Sequence, residues 1–208
     1  MEWLIRIIAI IAVILWIYLL GVFRRGKLEF FHFLLGVCGI FLILLFMTNY
    51  IKGPLIYGFT SVLRVYGGMF ELFDAYPSLG IIYIETENTI ASLYIDLECS
   101  GIIEMIVFVS LLSFFPVYNW RQKLINGVIG CFCIELFNFF RIIIIVMSIR
   151  IFGTDAYFVA HAIVGRLVFY CLVIILYYYI FTKTQIQHQR IGKFSYAQVN
   201  EKKEGKMR

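Results

Sequence analysis

The stretch that decides the fold is 30–51, FFHFLLGVCGIFLILLFMTNYI, which carries no aspartate, glutamate, lysine or arginine. At a helical rise of about 1.5 Å per residue it reaches the ~30 Å hydrocarbon thickness of a bilayer, and as a helix it satisfies its own backbone N–H and C=O groups. It predicts a membrane span. Comparable runs occupy 3–23, with the single early charge Arg6, then 101–118, 124–149 and 162–182.

The composition agrees with this reading. Of 208 residues, 62% are hydrophobic and 15% charged, too few charges to solvate a globular surface. The expected fold class is an all-α polytopic membrane protein of about five transmembrane helices, forming one domain over 1–182. The run 3–23 has no basic region ahead of it and no small-residue cleavage site behind it, so it reads as a retained anchor rather than a removed leader. Cys38, Cys131, Cys133 and Cys171 fall inside the apolar runs and read as small core residues. Cys131-x-Cys133 lacks a second ligand pair, so neither a metal nor another cofactor is expected.

Lysine and arginine collect on the cytoplasmic side of membrane proteins. With the amino terminus outside, the inner set is Arg24, Arg25 and Lys27, then Arg121 and Lys123, then the basic tail 183–208. The net charge of +5 is thus mainly a topology signal, with the tail solvated near anionic headgroups, and nothing in it calls for nucleic acid. The expected location is a multi-pass protein of the cell membrane with a cytoplasmic carboxy terminus. His32 should face headgroups at the inner end of the second span, and the aromatic group Tyr177, Tyr178, Tyr179 and Phe181 reads as an interfacial belt.

The outer segment, 52–100, departs from plain spanning helix. Its part 54–73 is moderately apolar but broken by Gly58, Arg64, Gly67 and Gly68, which predicts an interfacial or re-entrant helix. After Pro77, two β-rich runs around a polar Glu-Asn turn predict a short hairpin that leads into Glu98, Cys99, Ser100 and Gly101. Cys99 then lies at the outer edge of the third span.

Polar side chains inside spans are costly, and each asks for a partner. Glu135, Asn138 and Arg141 recur at i+3 on one side of the fourth helix, which should face the bundle. His161 and Gly165 are i+4 partners at the head of the fifth, the glycine allowing close approach of a neighbour beside the imidazole. Helical rise places Arg141 roughly 13 Å and His161 roughly 9 Å below the outer edge. Cys99 approaches from above, so the three can converge in a pocket opening outward. Such a trio supports acyl transfer: a thiolate nucleophile, an imidazole acting as base and then acid, and a guanidinium holding the thiolate or the developing oxyanion. Asn138, one turn below, would orient Arg141. Taken singly, these residues also have structural readings. Cys99 could be an inert buried thiol, Arg141 an ion-pair partner of Glu104 or Glu135, and His161 a polar residue bonded to a neighbouring carbonyl. Glu104 fits either as partner to Arg141 or as support for Cys99.

The run Glu98-Cys99-Ser100-Gly101, the pair Asn138-x-x-Arg141 inside a span, and His161-x-x-x-Gly165 at the head of the next resemble, in order, spacing and setting, the exosortase and archaeosortase family. The resemblance covers roughly 97–169, and the brevity and aromatic content look most like the G-type exosortase of Gram-positive bacteria. What it implies is a membrane cysteine protease and transpeptidase that cleaves a carboxy-terminal hydrophobic sorting signal of exported proteins. Cys99 would be the nucleophile and Arg141 and His161 the other catalytic residues. Glu98, Ser100, Asn138, Glu104 and Gly165 would support them. The acceptor would be an amine, a glycan or lipid, or water. A reading from another class is a non-catalytic scaffold or a transporter with a polar path through the membrane.

Overall fold

The computed structural model describes residues 2–86, 89–97 and 99–187. Glu98, the Glu-Asn turn at 87–88 and the tail from 188 onward lie outside the described residues. The chain divides into two compact units, one of Met1–Tyr83 with Ser92–Phe115, the other of Ile84–Ala91 with Pro116–Arg208.

The first unit begins with helix α1, Glu2–Arg25, packed on helix α2, Glu29–Phe70. Two glycines set that packing. A Cβ at Gly39 would collide with the indole of Trp16, and the open surface there lets Trp16 Nε1 donate to the Leu35 carbonyl at 2.8 Å. One turn back, a Cβ at Gly36 would strike the ring of Phe114. His32, expected among headgroups, is half-buried and meets the Phe114 ring edge-on at 5.7 Å.

Helix α2 does not end near Ile51, and 54–70 is not a separate interfacial or re-entrant element. One continuous helix of 42 residues runs through Pro54. Proline removes one backbone bond, at a cost of about 3 kcal/mol in a helix interior. Beyond the proline the helix is held by packing against the strand Asp74–Tyr76, and that tertiary contact carries it on. It stops at Glu71, which takes the left-handed conformation (φ 50°, ψ 38°); the N–H groups of Glu71 and Leu72 both donate to the Gly67 carbonyl, the second at 3.1 Å. At 1.5 Å per residue α2 is about 63 Å long, twice the ~30 Å hydrocarbon core.

The buried positions Phe59, Thr60, Leu63 and Gly67 fall on one stripe of α2. Its far end packs on strand β1, Asp74–Tyr76, which the sequence did not foretell. The expected hairpin follows as β2, Ile81–Thr86, and β3, Thr89–Tyr94, in a sheet of order β1-β2-β3. β1 and β2 are antiparallel, with Asp74 opposite Tyr83 and Tyr76 opposite Ile81. Alternation is strict on the inner face: Ala75, Ile82, Ile84, Leu93 and Ile95 are buried, while Tyr76, Tyr83 and Tyr94 are exposed.

Helix α3 spans Ile102–Phe114 and packs against α2. The expected span over 101–118 is thus shortened to 13 residues, about 20 Å, less than a bilayer core. Pro116 is the reason: it has no N–H, and it forces Phe115 into an extended conformation (ψ 119°).

The second unit is built on helix α4, Trp120–Phe152. Asn119 and Gln122 form a capping box, the Asn119 N–H donating to Gln122 Oε1 at 3.0 Å. Gly153 ends the helix, and a 3₁₀ turn at Thr154–Ala156 starts the return. A π-helical turn at Val159–Val164 leads into helix α5, Gly165–Tyr177, and a second π turn follows at Tyr178–Thr182. Tyr118 fastens that second turn, its hydroxyl donating to the Ile180 carbonyl at 2.7 Å and lying 2.9 Å from Thr184 Oγ1. Lys183 lies 5.0 Å over the Tyr179 ring, which keeps a cation beside the aromatic group.

Among the described residues three helical segments are long and apolar enough to cross a membrane: Glu29–Phe70, Trp120–Phe152 and Thr154–Gln187. Large apolar side chains stand exposed along all of them, Phe46, Val128, Phe132 and Ile174 among others, as expected of surfaces solvated by lipid tails. Among the described residues, which include all five cysteines, no disulfide forms. Cys38 and Cys171 are exposed rather than in the core, because apolarity inside a span does not separate a lipid-facing position from a buried one.

Candidate functional site

Cys99 sits in a turn that near neighbours help to hold. The Asp96 side chain accepts the Leu97 N–H at 2.7 Å, the Cys99 N–H donates to the Asp96 carbonyl at 2.9 Å, and Ser100 Oγ donates to the Leu97 carbonyl at 3.1 Å. Gly101 then takes a left-handed conformation (φ 72°) that a side chain would oppose, and its carbonyl accepts the first bond of α3, from the Met105 N–H at 3.0 Å. The result holds Cys99, 6% exposed, and Ser100, 2% exposed, just ahead of the first turn of α3. That end of a helix favours negative charge. Glu104, in the first turn of α3, is half-buried one turn beyond Ser100.

In the second unit the polar face of α4 is buried as its spacing predicts. Gly130, Ile134, Asn138, Arg141, Ile142, Ile145, Val146 and Ile149 form one buried stripe, with Asn138 at 0% and Arg141 at 2% exposure. Glu135 is half-buried at its edge, and its Oε2 is enclosed with no hydrogen-bond partner among the described residues. A guanidinium cannot shed its charge, so a buried one needs fixed, specific surroundings. One of these is Phe169, fully buried on α5, whose ring lies 5.7 Å from the Arg141 guanidinium carbon.

His161 lies in the π-helical turn ahead of α5. Such turns are rare overall and frequent at functional positions. The imidazole stacks flat on Tyr157, with 5.6 Å between centroids and 1° between planes. Gly165 is buried, and a Cβ there would sit 3.2 Å from Ile145 of α4 and 3.0 Å from the Ala160 carbonyl, so its smallness is what lets the two helices meet. His161, Gly165 and Phe169 follow one another at i+4.

Cys99, Ser100 and Glu104 therefore belong to the first unit, and Asn138, Arg141, His161 and Gly165 to the second, where facing helices carry them. Phe169 and Tyr157 were missed by sequence reasoning. Both lie four residues from a singled-out position, Gly165 and His161, and that i+4 spacing was the available signal. No group of three or more metal-ligating side chains occurs among the described residues. No family model, curated protein or solved structure matches the chain.

Proposed function

We propose that this chain is a membrane-embedded cysteine protease and transpeptidase of exosortase type, with about five spans, its reactive side outward and its carboxy terminus cytoplasmic. The observation that carries the reading is the complete burial of Asn138 and Arg141 on one stripe of α4, facing the helix that bears Gly165 and Phe169. A permanently charged group in an apolar helix pair is costly as mere structure, and it is suited to stabilising an anion in a dry site.

In this mechanism the Cys99 thiolate attacks the carbonyl carbon of a peptide bond near the carboxy-terminal hydrophobic sorting signal of an exported protein. The tetrahedral oxyanion, or the thiolate before it, is held by the Arg141 guanidinium. His161, having taken the thiol proton, returns it to the leaving amine as the C–N bond breaks. A thioester on Cys99 remains. The acceptor, an amine, a glycan or lipid, or water, then attacks that carbonyl, gives its proton to His161 and releases the thiolate. Asn138 positions Arg141, while Glu98, Ser100 and Glu104 support the thiol.

Glu135 favours a second reading, a transporter or scaffold. An enclosed carboxyl oxygen without a hydrogen-bond partner among the described residues, in the middle of an apolar helix, is also what a polar path would use. Comparing the carboxy termini of exported proteins in cells carrying the wild-type chain or Cys99→Ala separates the two. The enzyme predicts truncated termini with wild type and none with the variant. Unchanged termini would leave the transporter or scaffold.

A further inference from the structure

The first unit contains a cavity that the proposed reaction does not yet use. It lies between α2 and α3, has a volume of about 170 Å³, and exposes no polar atom on its walls. Leu44, Thr48, Ile51 and Leu55 line it from α2, and Ile102, Met105, Ile106 and Val109 from α3. Each set follows helical spacing, so two complementary stripes leave a gap where they meet. The hydroxyl of Thr48 is spent on its own helix, donating to the Leu44 carbonyl at 3.1 Å, and gives the cavity no polar handle. Ile51 is exposed.

Size and chemistry narrow the occupant. A dry cavity of about 150 Å³ with aliphatic and aromatic walls takes a guest the size of benzene. Water finds no hydrogen-bond partner on these walls, and a lipid headgroup finds none either. What fits is one side chain the size of leucine or phenylalanine. Position narrows it further, because Ile102 on the cavity wall follows Cys99 by only three residues.

We propose that this cavity is a specificity pocket that receives a leucine- or phenylalanine-sized side chain of the polypeptide whose carbonyl Cys99 attacks. The proposal rests on the reading of Cys99 as nucleophile. Binding there excludes water from one flank of the thiol and fixes the polypeptide's register against it.

The test uses the full chain in native membrane vesicles and N-acetyl amino acid chloromethyl ketones with glycine, alanine, leucine, phenylalanine or tryptophan side chains. Each alkylates a thiolate with loss of chloride, and the adduct on Cys99 is quantified by peptide mass mapping. Leucine and phenylalanine probes should react on the order of 10-fold faster than glycine, with tryptophan falling back because it exceeds the cavity. Val109→Phe, which fills the cavity, should erase the preference, and Leu44→Phe should do the same from the opposite wall. Iodoacetamide, too small to use the pocket, reports on the thiol alone and should react equally in wild type and both variants. A flat probe series in wild type, or a preference that survives both variants, overturns the pocket while leaving the nucleophile intact. Iodoacetamide reacting with wild-type Cys99 no faster than with an ordinary cysteine overturns the nucleophile itself, and the pocket assignment with it. A variant in which iodoacetamide reactivity alone collapses is misfolded, and its counterpart on the other wall then decides.

Discussion

Two helix pairs in this molecule bury polar side chains in opposite ways. In α2 and α3 the buried polar groups are hydroxyls that bond back to their own helix: Thr48 to the Leu44 carbonyl at 3.1 Å, and Thr60 to Ile56 and Ser110 to Ile106 at 2.7 Å each. In α4 and α5 the buried polar groups are Asn138 and Arg141, with many more donors than one helix backbone can engage. A hydroxyl satisfied four residues back is at home in an apolar helix and implies nothing beyond it. An amide and a guanidinium on one stripe require an environment assembled from several elements, which is the mark of a site.

That contrast sets an order of sensitivity. Arg141→Met keeps length and apolarity but removes the charge, and Arg141→Lys keeps the charge but loses the planar fork. Both should lower the yield of processed exported protein by on the order of 10²–10³-fold, read as the initial rate of product in a pulse-chase experiment. Processing by either variant at the wild-type rate would return Arg141 to a structural role and erase the distinction between the helix pairs. Packing effects come next. Gly165→Ala forces a Cβ to 3.2 Å from Ile145 and 3.0 Å from the Ala160 carbonyl, and should destabilise the second unit by about 1–3 kcal/mol, read as a lowered midpoint of thermal unfolding in detergent. The smallest effects belong to the self-satisfied hydroxyls. Thr60→Val and Ser110→Ala remove donor and demand together, and each should shift the same midpoint by less than about 1 kcal/mol. A loss as large as that at Gly165 would mean that these hydroxyls reach beyond their own helix.

The sequence made the helical, membrane-type character legible, because uncharged runs of this length have no other stable conformation in lipid. It also placed the α4 stripe, since Asn138 and Arg141 stand at i+3 among aliphatic residues. Elsewhere local rules competed. Gly58, Arg64, Gly67 and Gly68 predicted an interfacial or re-entrant element after Ile51, yet α2 runs on to Phe70, because packing of its stripe Phe59, Thr60, Leu63 and Gly67 outweighs the propensity lost. Pro116 was read through, and it cut α3 to 13 residues. Strand β1 is three residues long, too short for any period to show. Cys38 and Cys171 were placed in the core because a hydrophobic lipid-facing position and a hydrophobic buried one look alike in sequence. At the site, the polar residues could be picked out by their cost, whereas Phe169 and Tyr157 had only their i+4 spacing to mark them in a chain that is 18% aromatic.

In the proposed enzyme, Arg141 and His161 keep the sulfur of Cys99 reactive from outside the membrane. Intact cells treated with a membrane-impermeant thiol reagent give the direct measurement, with the modification of Cys99 followed over time by mass mapping in wild type, Arg141→Ala and His161→Ala. Fast labelling in wild type that slows in both variants is the predicted result. Labelling of Cys99 at one rate in all three chains, or only after the membrane is permeabilised, would contradict it.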